Sequence, residues 1–288
     1  MSVPPGLLPK RPADMQKGEA GRIFVLAGSV GLSGAAALCT MGALRIGAGL
    51  VTLGLPKSLH QPMVEKLTEA MFKVLPESKE GCLSLRGLPE IVSTIDKMDG
   101  VAIGPGLSQH AETKALVQQL LPKIVKPLVL DADGLNALAE AVEVLKKLSL
   151  PIVLTPHPGE MARLIRLSAE EVQRDRQRIA SEFAKKYRVI VVLKGHGTVV
   201  ASFDGSAYLN DTGNPGMASG GFGDVLTGMI AGLAGQKLSL FDAARLGVYL
   251  HGLAGDLAAK EVGEVGLLAS DLAARIPQAI RQYQNLPT

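Results

Sequence analysis

The chain has 288 residues, of which 47% are hydrophobic and only 3% aromatic, so its core has to be largely aliphatic. Its formal net charge of +3 is spread along the chain, which argues against a nucleic-acid partner. Its two cysteines, Cys39 and Cys82, cannot form a disulfide framework and fit a reducing compartment. We expect a cytoplasmic protein without a membrane partner, because glycines interrupt the one long uncharged stretch, 23–44.

Short apolar runs alternate with longer helical segments, a pattern that is typical of α/β proteins. The predicted strands are 23–27, 50–55, 101–104, 127–131, 151–155 and 189–193. The predicted helices are 33–46, 111–121, 134–147, further segments to about 186, then 223–234, 241–259 and 269–283. The segments 198–203 and 206–209 predict a hairpin around Asp204-Gly205. We interpret residues 1–288 as one doubly wound α/β domain, with a mostly parallel sheet, helices on both faces and an extended N-terminal segment, 1–20.

Polar or glycine-rich segments follow five of the predicted strands. These segments are 28–31, 104–107, 131–136, 155–160 and 194–198. In an open parallel sheet, ligands bind outside the carboxyl ends of the strands. Five such segments therefore predict a large binding site at that edge.

The stretch 214–224 is rich in glycine, ends in Asp224 and runs into a predicted helix of small and apolar residues. Glycine lets backbone N–H groups approach a ligand closely, and the first turn of a helix offers further N–H groups and the positive end of its dipole. This combination favours a phosphate site. A carboxylate is sensible there if it handles a proton or a metal; the alternative is that Asp224 caps the helix.

Two other segments carry candidate ligands. Asp131 and Asp133 lie on one turn, where they can hold a divalent cation, orient other groups or cap a helix; Asn136 can bind a substrate or simply occupy the first helical turn. His157 stands between two prolines and before Glu160, which indicates either a rigidly positioned contact or a histidine packed on a turn. Zinc is disfavoured, since no cysteine or second histidine stands at ligand spacing.

The segment Lys194-Gly195-His196-Gly197-Thr198 follows an apolar strand, and its lysine and backbone N–H groups suit nucleotide phosphates. Its spacing differs from that of the P-loop, and the glycines of 28–34 lack the spacing of the dinucleotide fingerprint, so hydride transfer is not predicted. His251 lies within an apolar helical segment, where packing or a structural hydrogen bond is expected.

Taken together and in order, these motifs resemble the ADP/ATP-dependent NAD(P)H-hydrate dehydratases. The most specific segments are Pro156-His157-Pro158-Gly159-Glu160 and 216–224, and the resemblance spans about residues 21–272. It implies a ribokinase-like fold. Many members carry an additional epimerase domain, for which this chain has no room, so a stand-alone dehydratase domain is expected.

The resemblance implies a reaction in which the S epimer of hydrated NADH or NADPH loses water at the expense of a nucleotide. ADP, giving AMP and phosphate, is expected rather than ATP, with Mg²⁺ as the metal; its ligands are not identifiable. Asp224 is the expected general base. The expected hydrate contacts are Ala43, Gly106, Asp131, Asn136, His157, Glu160 and Asp224. The expected nucleotide contacts are Lys194, Gly195, His196, Gly197, Thr198, Asn214, Gly220, Gly221 and Gly223. A separate epimerase is expected as a functional partner, and a homotetramer as the assembly.

Two alternatives share the same loops. A ribokinase-like kinase of a vitamin precursor, of the hydroxymethylpyrimidine or hydroxyethylthiazole type, would use the same glycine-rich loop and the same base. A regulatory protein that binds nucleotide without turnover would use Lys194 and Asp224 for binding only. The Pro-His-Pro-Gly-Glu segment and the size of the predicted site favour the dehydratase.

Overall fold

The structure, a computed structural model, describes residues 4, 6–8 and 11–286. Its strands are β1 (Arg22–Leu26), β2 (Leu50–Pro56), β3 (Met71–Leu75), β4 (Gly100–Ile103), β5 (Leu128–Leu130), β6 (Val153–Leu154), β7 (Ile190–Leu193), β8 (Val199–Ala201) and β9 (Ala207–Leu209). They form one sheet in the order β3-β2-β1-β4-β5-β6-β7-β8-β9. The pairs among β1 to β7 are parallel, and β8 and β9 are antiparallel. The mostly parallel sheet and the hairpin are thus confirmed.

The helices are α1 (Ser33–Arg45), α2 (His60–Lys66), α3 (Leu88–Ile95), α4 (Ala111–Leu120), α5 (Ala132–Ala139), α6 (Pro158–Ile165), α7 (Ala169–Arg174), α8 (Arg176–Tyr187), α9 (Phe222–Gly235), α10 (Leu240–Val262) and α11 (Ala269–Gln284). The helix predicted over 134–147 is wrong in its extent, since α5 ends at Ala139 and a 3₁₀ turn covers Val142–Lys147. Of the segment predicted to be extended, 1–20, part lies outside the described residues, and 11–20 contains turns only. No helix in the described part of the chain combines the length and apolarity that a membrane span requires.

Helices cover both faces of the sheet, because successive strand residues point to opposite sides. On β1, Ile23 and Val25 pack with the apolar residues of α1, α2, α9, α10 and α11. Phe24 and Leu26 pack with those of α3 to α8. All four side chains have no exposed surface. The two hydrophobic cores hold the carboxyl ends of the strands at one common edge.

Helices α1 and α9 approach each other to backbone contact. A Cβ atom on Gly228 would lie 1.9 Å from the carbonyl oxygen of Cys39, and one on Gly42 would lie 2.3 Å from that of Val225. Real Cβ atoms are essentially never found at such distances. The pairing therefore depends on glycine at both contacts, and it sets the position of the amino-terminal end of α9 relative to the sheet.

The strand order reverses between β1 and β4, where an open α/β sheet forms its crevice. The loops that follow these two strands are tied together. The backbone N–H of Gly28 donates to the carbonyl oxygen of Pro105 at 2.9 Å, and the Ser29 hydroxyl donates to that of Gly106 at 2.9 Å. This crevice continues along the edge that carries β5, β6 and β7.

Candidate active site

A pocket of about 870 Å³ opens at the carboxyl ends of β5, β6 and β7, between them and helices α9 and α10. It brings together most of the predicted site residues. Those that line it are Asp131, His157, Glu160, Lys194, Gly195, His196, Gly197, Thr198, Asn214, Gly221, Gly223 and Asp224. Those that do not are Ala43, Gly106, Asn136 and Gly220. Segments distant in the chain thus converge on one site.

The glycine-rich loop ends at Gly221, which begins α9 with a left-handed φ of 97°. A Cβ atom there would also lie 2.5 Å from Cδ1 of Leu38, so the position requires glycine. Asp224 is the third residue of α9 and not its cap, so the capping alternative is not what the structure has. The free N–H groups of this first turn and the Asp224 carboxyl face the same pocket.

The Asp224 carboxyl group is a weaker acid than an ordinary aspartate. Burial raises its pKa to about 7, and repulsion from Asp131 adds to the shift, while the nearby Lys194 ammonium opposes it. A carboxyl group of this pKa exchanges a proton readily near neutral pH. The site therefore contains a group suited to general acid–base chemistry.

Lys194 lies in the pocket among carboxylates. Its Nζ is 2.7 Å from Oδ1 of Asp131 and 3.8 Å from Oε2 of Glu160. Burial disfavours the charged lysine, but Asp131 and Glu160 outweigh that effect, and the pKa of Lys194 is raised. Both Asp131 and Glu160 are buried, and burial raises the pKa of Glu160, with Lys194 opposing. Lys194 thus remains a cation at the bottom of the site.

Asp131 begins α5 without using its side chain as a cap. Its Oδ1 accepts from Lys194, and its Oδ2 accepts from the Thr227 hydroxyl at 2.7 Å. The neighbouring Asp133 has other partners: it accepts from the backbone N–H of Ser108 at 2.9 Å and from Asn136 at 3.1 Å. The two carboxylates on this turn therefore serve different networks rather than one shared cation.

His157 forms the amino-terminal cap of α6. Its Nδ1 accepts from the backbone N–H groups of Gly159 and Glu160, at 3.0 and 3.3 Å, and the Glu160 carboxylate accepts from the His157 N–H at 2.8 Å. Pro158 occupies the first position of the helix, where its missing N–H costs nothing. Burial lowers the pKa of His157, and the Lys194 charge adds to this effect. The ring is thus both a helix cap and a half-exposed neutral group at the pocket.

The segment 194–198 is held from outside the pocket by Arg176, at the start of α8. Its guanidinium donates to the carbonyl oxygen of Leu193 at 2.8 Å and to that of His196. The Thr198 hydroxyl closes the turn by donating to the Gly195 carbonyl at 2.9 Å. These bonds use carbonyl groups. The Lys194 N–H donates to the Pro156 carbonyl oxygen at 2.9 Å, which leaves the N–H groups of residues 195–198 for a ligand.

Asp256 on α10 fixes the start of the glycine-rich loop. It accepts from the Gly213 N–H at 3.0 Å and from the Asn214 side chain at 2.9 Å. Asn214 in turn accepts from the Gly216 N–H at 3.1 Å. Asn214 thus shapes the loop with its side chain while it lines the pocket.

Ala43 is an expected hydrate contact, which stays a prediction. It lies on α1 with no exposed surface, because the close approach of α9 through Gly228 and Gly232 covers it. Its side chain does not line the pocket. Gly106 follows β4, at the crevice beside β1, and Asn136 on α5 accepts from Arg163 at 3.0 Å.

Four residues of the site were not found by sequence reasoning as parts of it: Arg176, Thr227, His251 and Asp256. His251 is a structural contact as expected, buried and hydrogen-bonded, but it also lines the pocket. A polar residue inside an apolar helix was the available signal for Thr227 and His251, since such groups need partners when buried. Asp256 stands among apolar residues of α10 and offered the same signal, whereas Arg176 stands in a charged segment that gives none.

Comparisons with known proteins agree with this geometry. The chain matches the model of the NAD(P)H-hydrate dehydratase family over residues 23–278. It is 48% identical to the bifunctional NAD(P)H-hydrate repair enzyme Nnr of Moorella thermoacetica, over 96% of this chain and 52% of that protein. It is 36% identical to the ADP-dependent (S)-NAD(P)H-hydrate dehydratase of Xanthomonas campestris pv. campestris, over 91% and 88% of the two chains. The chain spans about half the length of the bifunctional relatives it matches.

Among solved structures, the chain superimposes on the ADP/ATP-dependent NAD(P)H-hydrate dehydratase from Bacillus subtilis, co-crystallized with ATP/Mg²⁺. The TM-score is 0.81 at 33% identity, and the match covers 96% of this chain and 95% of the other. The predicted ribokinase-like fold is therefore confirmed. The family match, the relatives and the shared fold give one conclusion: the chain belongs to the NAD(P)H-hydrate dehydratase family.

Proposed function

We propose that the chain catalyses the nucleotide-dependent dehydration of the S epimer of hydrated NADH or NADPH, with ADP as the phosphoryl donor and AMP and phosphate as products. This proposal rests on Asp224, which lies on the first turn of a glycine-flanked helix and has a pKa of about 7. The name of the Xanthomonas relative supports ADP and the S epimer.

The first step converts a poor leaving group into a good one. Asp224 takes the proton of the hydrate's hydroxyl group, and the oxygen attacks the β-phosphorus of ADP. The bond from that phosphorus to the bridging oxygen breaks, and AMP departs. A positioned base contributes roughly 10²–10⁴-fold. Near neutral pH, a group with a pKa near 7 is ionised often enough to act and is still basic enough to hold the proton.

The second step releases phosphate. The lone pair of the ring nitrogen expels it, which breaks the bond between the ring carbon and the ester oxygen. The neighbouring ring carbon then loses a proton, and the departing phosphate can accept it. The ring regains the double bond of the dihydronicotinamide, and the net change is the loss of one water and the cleavage of ADP.

The nucleotide is proposed to lie between the turn 194–198 and the start of α9. The turn is held through its carbonyl groups and the Lys194 N–H, so the N–H groups of residues 195–198 can bind phosphate oxygens. Gly221 and Gly223, which line the pocket, would supply a second set of N–H groups, and Gly220, outside that lining, would join them only for a ligand that extends beyond the pocket. Asn214 shapes the loop before them. Lys194 supplies the positive charge; its Nζ would lie only 3.2 Å from a Cβ atom at Gly223.

The hydrate is proposed to lie beside Asp224, His157 and Glu160. His157 uses Nδ1 as an acceptor within its own helix cap, so Nε2 carries the proton and can donate to a substrate. Gly106 and Asn136 lie outside the pocket, and only a substrate that extends past β5 toward β4 would reach them. A dinucleotide has that length. Ala43 would act through the packing of α1 against α9 rather than by side-chain contact.

Mg²⁺ is proposed to accompany the nucleotide. Among the described residues, no group of three His, Cys, Asp or Glu side chains could hold a metal ion by itself. That fits Mg²⁺, which commonly keeps several waters and binds through one or two carboxylates together with phosphates. Asp131 is paired with Lys194 and Thr227, and Asp224 is proposed as the base, so the other carboxylates that line the pocket, Glu160 and Asp211, are the ones that could serve it. When bound, it would neutralise phosphate charge.

The setting of the reaction is also part of the proposal. The bifunctional relatives are about twice as long as this chain, which supports a second activity on the same substrate. We propose that an epimerase supplies the S epimer, and that the chain works as a homotetramer in the cytoplasm.

A coupled assay tests the proposed reaction. Hydrated NADH and ADP are incubated with the protein, recovery of the NADH absorbance is followed, and AMP and phosphate are quantified. We expect all three products in equal amounts, and their formation should be slower by about 10²-fold or more with Asp224→Asn. The proposal fails if the nucleotide is consumed with hydroxymethylpyrimidine or hydroxyethylthiazole but not with the hydrate, a result that would instead support the kinase alternative.

A further inference from the structure

One buried hydrogen bond joins the glycine-rich helix to the strand edge. The Thr227 hydroxyl donates to Oδ2 of Asp131 at 2.7 Å, and Lys194 donates to Oδ1 of the same carboxylate at 2.7 Å. Thr227 has no exposed surface and Asp131 only 1%. A carboxylate buried this deeply is costly unless its oxygens are paired and hydrogen-bonded. Thr227 and Lys194 together meet that need.

We propose that Thr227 is a positioning residue for phosphoryl transfer: its hydroxyl fixes the orientation of the Asp131 carboxylate, which in turn holds the Lys194 ammonium toward the start of α9. This inference rests on the proposed function. It assigns Asp131 to Lys194 rather than to direct contact with the hydrate.

Lys194 needs a partner of fixed orientation because three carboxylates attract its ammonium group. Besides Asp131, its Nζ lies 3.8 Å from Glu160, and the charge of Asp224 acts on it as well. A lysine ammonium sits on a flexible four-carbon stem and can follow whichever partner is nearest. Pairing with Asp224 would occupy the base and withdraw the cation from the phosphates. A fixed Asp131 prevents this rearrangement.

The contact is more than an ordinary helix hydrogen bond. The Thr227 hydroxyl also lies 3.1 Å from the carbonyl oxygen of Gly223, four residues earlier. Thr40 on α1 makes the same type of bond to Ala36, at 2.8 Å, and likewise has no exposed surface. Only Thr227 adds a charged partner. Thr40 is therefore a matched control for the loss of a buried hydroxyl.

Three variants test the inference through ADP affinity, measured by calorimetry, and through kcat/KM for the hydrate. Thr227→Val should weaken one or both by about 10- to 100-fold, the range for a hydrogen bond to a charged group. Thr227→Ser, which keeps the hydroxyl, should stay within about threefold of the natural protein, as should Thr40→Val. Equal losses in Thr227→Val and Thr40→Val would overturn the inference.

A double-mutant cycle shows whether the effect passes through Lys194. In a Lys194→Met background, Thr227→Val should have little further effect on either measurement, because the cation it guides is gone. A full additional loss in that background would mean that Thr227 acts independently of Lys194. Free energies of unfolding for each variant separate this coupling from simple destabilisation.

A crystal structure of Thr227→Val without ligand gives a result that depends on no activity. We expect the Asp131 carboxylate to turn and Nζ of Lys194 to move toward Glu160 or Asp224. An unchanged 2.7 Å pairing of Asp131 with Lys194 would overturn the inference. If the natural protein does not dehydrate the hydrate, the proposed function fails. The structure of Thr227→Val still shows whether Thr227 holds Asp131 and Lys194 in position.

Discussion

Nε2 of His251 lies 2.9 Å from the carbonyl oxygen of Phe222, the first residue of α9. This contact anchors the beginning of the glycine-flanked helix to α10. The ring is buried, and burial lowers the pKa of His251 to about 4, although the hydrogen bond to Phe222 opposes the shift. The histidine therefore serves as a neutral donor, and protonation would oppose its burial.

The His251 ring predicts a dependence of stability on pH. In the unfolded chain it takes up a proton below its ordinary pKa of 6.5, whereas in the fold it does so only below about 4. The contribution of His251 to the free energy of unfolding should therefore be fully present above pH 6.5 and be lost as the pH drops to 4. His251→Gln keeps a donor and does not titrate, so across that window the natural protein should lose on the order of 3 kcal/mol relative to the variant. Urea unfolding at pH 6.5 and pH 4 measures the free energies of unfolding of the two proteins. If these differ by the same amount at both pH values, the prediction is wrong.

Asp224 predicts the pH dependence of turnover. The carboxylate must be ionised to accept a proton, so kcat/KM, which reports the pKa values of the free protein, should rise about tenfold per pH unit below the Asp224 pKa of about 7 and level off above it. Asp224→Asn should lower kcat by about 10²-fold or more while ADP still binds. Steady-state rates and calorimetry check the two parts. Full activity of the variant would exclude Asp224 as the base.

The same residue predicts a gain in stability on mutation. The pKa of Asp224 rises from 3.8 in an ordinary aspartate to about 7 in the fold, so the fold favours the protonated form. Stability from this group is present below pH 3.8 and is lost as the pH rises to 7. Above pH 7, Asp224→Asn should be more stable than the natural protein, on the order of 1–4 kcal/mol. Unfolding at pH 8 and pH 4 should show the gain only at pH 8.

Two neighbouring glycines should respond differently to alanine. Gly221 has a left-handed φ, and a Cβ atom there would lie 2.5 Å from Leu38, whereas a Cβ atom on Gly220 would meet nothing within 4 Å. Gly221→Ala should destabilise the fold by about 2 kcal/mol or more, and Gly220→Ala should change it by less than about 0.5 kcal/mol. Thermal unfolding of the two variants is the measurement. Similar losses would mean that the loop is not constrained at Gly221.

His157 combines a structural and a proposed substrate role, and two variants separate them. His157→Ala removes the cap of α6 and should cost about 1 kcal/mol. His157→Asn keeps a capping acceptor, so its free energy of unfolding should stay close to that of the natural protein, while KM for the hydrate should rise. If His157→Asn keeps both its stability and its KM, the imidazole does not contact the hydrate.

The sequence-based prediction succeeds for strands that are buried on both faces. Strands such as β4 and β7 are continuous apolar runs because helices cover both of their faces. Strand β3 was not predicted. It lies at the sheet edge, is largely exposed and contains Lys73, so its residues form no such run. The short helices α2 and α3, which follow β2 and β3, were not predicted either.

Loop positions at the strand ends also locate much of the pocket, since Asp131, His157 and Lys194 follow adjacent parallel strands. Contacts between side chains of different helices and strands cannot be predicted from loop positions. Thr227 lies 96 positions from Asp131, and neither segment has a pattern that predicts their hydrogen bond. The burial of Ala43 likewise follows from how closely α9 approaches α1, which no local pattern reveals.

The contact of Gly228 with the backbone of Cys39 makes catalysis vulnerable at a distance from the pocket. Gly228 stands one turn beyond Asp224 on α9, and any side chain there would push the whole helix away from α1. Asp224, the proposed base, would move with it, as would the loop glycines and Thr227. A single added carbon in the interior would therefore disturb both the fold and the proposed site, and a screen for lost activity would find Gly228 beside the residues proposed to act on the substrates.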